Sequence, residues 1–74
     1  MPNTAREPIA AEVRAELARQ NKSQRDVAEV LGLGQPGVSL RLQGKRSFRA
    51  EELTSLAEWL GVPLSRFEPQ QRVA

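Results

Sequence analysis

The sequence predicts an all-α domain of five short helices, and three observations carry that prediction. Apolar residues recur at three- and four-residue steps in successive segments. Glycines stand where several of those segments stop, and Ser, Pro or acidic residues stand where they start. Seventy-four residues suffice for one domain around one hydrophobic core, without a deep cleft. The chain has neither Cys nor His. Disulfides, a Cys/His zinc site and a nucleophile paired with His are therefore excluded, and the fold must rest on apolar helix packing.

The first helix is expected over residues 8–20. Ile9, Val13 and Leu17 follow at four-residue steps on one face, and Pro8 suits the first helical position, where a missing N–H costs nothing. Asn21 and Lys22 interrupt the pattern. Ser23 followed by Asp26 has the spacing of a capping box, with Asp in place of the preferred Glu or Gln. A second helix follows over 24–31, with Val27, Ala28, Val30 and Leu31 as its apolar face, and Gly32 suits the left-handed conformation that closes a helix. After the turn Gly32-Leu33-Gly34, the third helix is expected over 35–43. Val38 and Leu42 give it one narrow buried stripe and leave most of its surface outside the core, and Gly44 ends it.

Ser47 and Phe48 lead to the fourth helix, where Leu53, Leu56, Ala57 and Leu60 stand at i, i+3, i+4 and i+7. Glu51 and Glu52 lie in its first turn, where the helix dipole favours negative charge. Gly61 stops it, and Val62 and Pro63 open a short fifth helix carrying Leu64 and Phe67. Residues 1–7 are read as an N-terminal arm, 8–68 as the domain, and 69–74, opened by Pro69, as a flexible tail.

The formal net charge is only +2, but its distribution is uneven. From residue 31 to 50 there are four basic residues, Arg41, Lys45, Arg46 and Arg49, and no acidic one, while the rest of the chain carries seven basic against nine acidic. A local basic patch on a mildly acidic scaffold draws a polyanion to one face; a solvated basic loop is the plainer alternative. No apolar run approaches the ~20 residues of a membrane span, and the first ten residues lack the features of a secretory signal. A cytoplasmic location is expected.

Residues 23–39 form the informative unit. Two helices joined by a three-residue turn cross steeply, which requires a small side chain at the crossing, a turn residue tolerant of positive φ and an inward anchor on the second helix. Ala28, Gly32 and Val38 meet those needs in that order. A plain helical hairpin remains the alternative on spacing alone. The motifs Ser-Gln-x-x-Val-Ala-x-x-Leu-Gly at 23–32, Gln-x-x-Val-Ser at 35–39, Gly44-Lys45-Arg46, and Glu52-Leu53 through Leu56-Ala57 to Leu60-Gly61-Val62-Pro63 resemble the phage-repressor and Cro-like (XRE-type) helix-turn-helix domains. The resemblance spans about residues 9–67, and the stretch 38–48 looks like versions from actinobacteria and their phages. It implies a compact five-helix, lambda-repressor-like domain with the helix-turn-helix at helices 2 and 3.

The same resemblance implies a partner, double-stranded DNA, and a role for each residue of the motif. Gln35, Pro36, Gly37, Ser39 and Leu40 would face the major groove. Gln pairs with N6 and N7 of adenine, whereas Leu and Pro offer apolar contact suited to the thymine methyl. Gln24, Gln43, Lys45 and Arg46 would hold phosphates, with Ser23 and Arg41 beside them as further phosphate candidates. Plainer readings stand next to these: Gln35 as a helix-start residue, and Lys45 and Arg46 as solubilising turn charges.

Three positions depart from the family pattern. Lys22 stands where an apolar residue is usual, so a staple under helix 2 is missing or the lysine stem snorkels there. Arg49 stands where Thr or Ser commonly caps helix 4, so fraying is expected there. Leu40 replaces a polar reader and is either a methyl reader or an exposed residue of little consequence.

The implied function is a sequence-specific transcriptional regulator, most simply a Cro-like repressor occupying an operator, possessing no enzymatic activity and needing no cofactor. One recognition helix reads few base pairs, so a weak homodimer completed on DNA is expected, with Trp59, Leu64 and Phe67 as a candidate dimer patch or, equally, as residues that close the core. The competing class is an antitoxin-type interaction module with autoregulatory DNA binding, which shares the fold but usually carries an added toxin-binding segment.

Overall fold

The computed structural model describes residues 6–68, which form four α-helices and a closing 3-10 turn: α1 (Arg6–Arg19), α2 (Gln24–Leu31), α3 (Gln35–Leu42), α4 (Ala50–Leu60) and the turn Leu64–Phe67. The expected fifth helix is this turn. With four residues it is held by Arg66 N–H donating to Pro63 O at 2.9 Å and Glu68 N–H to Ser65 O at 3.2 Å. α1 starts at Arg6, two residues before the expected Pro8. Pro8 is still within the first turn, where N–H groups have no intrahelical partner. The remainder of the expected arm and the expected tail at 69–74 lie outside the described residues.

Capping fixes where α2 begins. Ser23 Oγ accepts from Asp26 N–H at 3.1 Å, and Asp26 Oδ2 accepts from Ser23 N–H at 2.9 Å, so the box forms with Asp. The Ser23 backbone donor, followed by its hydroxyl, holds the Asp26 carboxyl below its ordinary value. The helices all stop on a left-handed residue: Asn21 (φ 59°), Gly32 (φ 67°), Gly44 (φ 77°) and Gly61 (φ 73°). At each, the next N–H reaches back five residues, as Leu33 does to Ala28 O at 3.0 Å and Lys45 to Leu40 O at 2.9 Å. Gly44 has a second reason to be glycine. A Cβ there would lie 3.3 Å from Glu7 Cα and closer still to the Glu7 carboxylate, so the α3 exit packs directly on α1.

The periodic apolar residues converge as expected. Val13 and Leu17 of α1, Val27 and Ala28 of α2, Val38 and Leu42 of α3, and Leu53, Leu56, Ala57 and Leu60 of α4 form one core that Phe67 closes. In α1, Ala10 is fully buried beside Val13 and Leu17, and Ile9 packs partly buried against the core, so the expected stripe is widened at its start. α2 packs on α3 and α4, and α1 on α3 and the closing turn, so α3 is braced from two sides.

One carboxylate ties the ends of the fold together. Glu16, buried on α1, accepts from Arg19 Nη1 at 2.9 Å, Gln20 Nε2 at 2.8 Å and Arg66 Nη1 at 2.8 Å, and Gln20 Nε2 also donates to Leu60 O at 2.9 Å. The Gln20 hydrogen bond, with Arg19 and Arg66 adding positive charge, outweighs burial and lowers the Glu16 pKa.

Candidate nucleic-acid interface

α3 turns about 100° per residue, which sorts its side chains into two sets. Val38, Arg41 and Leu42 are buried. Pro36, Ser39, Leu40 and Gln43 lie on the other side, with Pro36 and Gln43 exposed and Ser39 and Leu40 partly exposed, and Gln35, three residues before Val38, is exposed because it is the first residue of the helix. Gly37 is partly exposed, at the edge between the sets. The helix starts on Gly34 with no side-chain cap, and Pro36 lies in its first turn. Gln43 Nε2 donates to Ser39 Oγ at 2.7 Å, one helical turn back.

Arg41 corrects the expectation that it would hold a phosphate. Its side chain is only 10% exposed; Nε donates to Glu52 Oε1 at 2.9 Å and Nη1 to Gly37 O at 3.0 Å. The reason is register. Arg41 is three residues after Val38 and one before Leu42, on the inward side of α3, where α4 supplies a carboxylate. The remaining phosphate candidates are on the surface: Ser23 and Gln24 at the start of α2, Gln43 at the end of α3, and Lys45 and Arg46 in the turn after Gly44. Ser23 is engaged with Asp26 through both its backbone N–H and its hydroxyl.

Two further residues position α3 and escaped the sequence reading. Arg14 of α1 donates through Nη1 to Leu42 O and through Nη2 to Glu7 Oε2 at 3.1 Å, which places a cation at the carbonyl end of α3. No local signal marks it, because the contact joins residues 28 apart. Glu52 Oε1 accepts from Arg49 N–H at 2.9 Å as well as from Arg41. Arginine has no acceptor, so only this return half of a capping box forms at α4. It satisfies the donor at the end expected to fray, and the spacing Arg49-x-x-Glu52 was its available signal.

The apolar candidates also separate. Phe67 is fully buried and belongs to the core, so it is removed from the proposed dimer patch. Leu64 is 38% exposed. Trp59 packs partly against the core, and Lys22 Nζ lies 5.3 Å from its ring centroid, so the lysine that replaces an apolar staple covers an aromatic face. Among the described residues no group of acidic side chains gathers to hold a metal ion, and no helix is long and apolar enough to cross a membrane.

A family model described as helix-turn-helix matches residues 13–67. The fold is similar to the crystal structure of the DNA-binding domain of BldD, with TM-score 0.75 and 25% identity over 93% of this chain and all of that one. It is equally similar to the clp gene regulator ClgR from C. glutamicum, with TM-score 0.75 and 25% identity over 88% of this chain and 83% of that one. The S. venezulae BldD DNA-binding domain gives TM-score 0.74 and 25% identity over 90% of this chain and 100% of that one. These are DNA-binding domains and a gene regulator, not enzymes, and two come from the expected actinobacterial setting. None of the curated proteins matches.

Proposed function

The chain belongs to the helix-turn-helix family, and we propose that it is a sequence-specific double-stranded DNA-binding transcriptional regulator, a Cro-like repressor that acts by occupying its operator. One observation carries this reading: α3 turns Val38, Arg41 and Leu42 inward and leaves Pro36, Ser39, Leu40 and Gln43 outward and Gln35 exposed at its N-terminal end, with exposed Lys45 and Arg46 in the turn that follows. The fold shared with the BldD DNA-binding domain supports it.

In this reading α3 lies in the major groove, and Gln35, near its N-terminal end, reads adenine through N6 and N7. Gln24 and the backbone N–H groups at the start of α2 hold a phosphate on one side. Gln43, Lys45 and Arg46 hold the backbone on the other. No cofactor takes part, and the protein works in the cytoplasm of a bacterial cell, from a phage or a chromosomal gene. Useful specificity needs two copies on half-sites about one helical turn (~34 Å) apart. Trp59 and Leu64 are what remains of the dimer patch, and so small a surface gives a weak dimer that DNA completes.

The test is Gln35→Ala in a binding titration on a selected operator duplex and a scrambled one, with circular dichroism beside it. The operator complex should lose about 1–3 kcal/mol while scrambled binding is nearly unchanged. Equal losses on both duplexes with unchanged folding would mean that α3 does not read sequence.

A further inference from the structure

Resting on that reading, we propose that α3 selects A·T base pairs through the thymine 5-methyl group, and that it accepts 5-methylcytosine better than cytosine at the same step. The inference comes from what the outward face lacks. Guanine is read most often by Arg or Lys on O6 and N7, and cytosine by Asp or Glu accepting from N4. α3 contains one charged residue, Arg41, and it is turned inward on Glu52 and Gly37 O. The face left to the groove is uncharged.

What remains there matches one base pair. Gln35 has the paired donor and acceptor that adenine presents, and Pro36 and Leu40, four residues apart, form an apolar ridge. Leu40 is partly exposed and stands outside the core cluster, so core packing does not account for an apolar side chain at this place. Ser39, the polar neighbour of Leu40, has its oxygen engaged by Gln43 Nε2 at 2.7 Å, which reduces its demand for a base partner. Thymine and 5-methylcytosine carry a methyl group at the same position in the major groove, and an apolar ridge detects that group whichever base bears it.

The experiment begins with selection of duplexes from a random pool by the intact protein. The enriched half-sites should be rich in A·T at the contacted steps. Replacing each contacted thymine by uracil should weaken binding about fourfold per methyl group lost, and replacing cytosine by 5-methylcytosine at that step should strengthen it. In Leu40→Ala the uracil effect should disappear, and Leu40→Arg should move the selected base toward guanine, with circular dichroism reporting that both variants fold. Enriched half-sites with G·C at the contacted steps and no uracil effect would overturn this inference while leaving the regulator reading intact. Absence of any enrichment would overturn both.

Discussion

Glu52→Ala is expected to cost about 3 kcal/mol of unfolding free energy, because it leaves the Arg41 guanidinium buried without its carboxylate. The same change removes the acceptor of Arg49 N–H at the start of α4, so a helix end loses its partner together with the ion pair. A domain of this size has about 4–11 kcal/mol in total, so the loss is a large share. Breaking a pair differs from replacing it. Arg41→Met with Glu52→Leu fills the space with apolar side chains and leaves no stranded charge, so most of the loss should be recovered. Urea denaturation of the parent, the single variant and the double variant decides this. A single-variant loss below about 1 kcal/mol would place the pair among solvent-screened contacts.

Phe67→Ala is expected to be at least as damaging, at about 3–5 kcal/mol, since the ring is fully buried where the closing turn meets the core. Leu64→Ala, three residues earlier and exposed, should change stability by less than about 0.5 kcal/mol. The two values separate a core closure from a surface patch. The turn also depends on Glu16, which holds Arg66. Because the Glu16 pKa is lower in the folded than in the unfolded chain, its contribution is present above the unfolded value and is lost as pH falls through the folded one. Thermal unfolding across the acid range should therefore show a steeper loss of stability in the parent than in Glu16→Gln. Parallel acid limbs would mean that this carboxylate does not bind the turn to α1.

Much of the fold was legible because its helices follow period and punctuation. Ser23 and Asp26, the left-handed Gly32 and the stripe Leu53-Leu56-Ala57-Leu60 act through neighbours within a turn or two, and the residues themselves announce them. Contacts between distant elements were not legible. Arg14 on Leu42 O, Arg66 on Glu16 and Arg41 on Glu52 each depend on an arginine that, taken singly, reads as surface charge. Arg41 is the instructive case: its basic type suggested phosphate, whereas its phase on α3, with Val38 and Leu42, already pointed inward. Phe67 was ambiguous for a related reason, since a four-residue segment is too short for periodicity to assign a face.

The central claim is that this chain binds DNA and distinguishes sequence, and the most direct measurement is a salt-dependent titration of the intact protein on selected and scrambled duplexes. Both affinities should fall linearly on logarithmic axes as salt rises, through counterion release at the phosphate contacts proposed for the cations Lys45 and Arg46, while the neutral Gln24 and Gln43 add hydrogen bonds. The selected duplex should remain tighter throughout, by on the order of a thousandfold or more. Equal affinity for the two duplexes at every salt concentration, or no binding at low salt, would contradict the account.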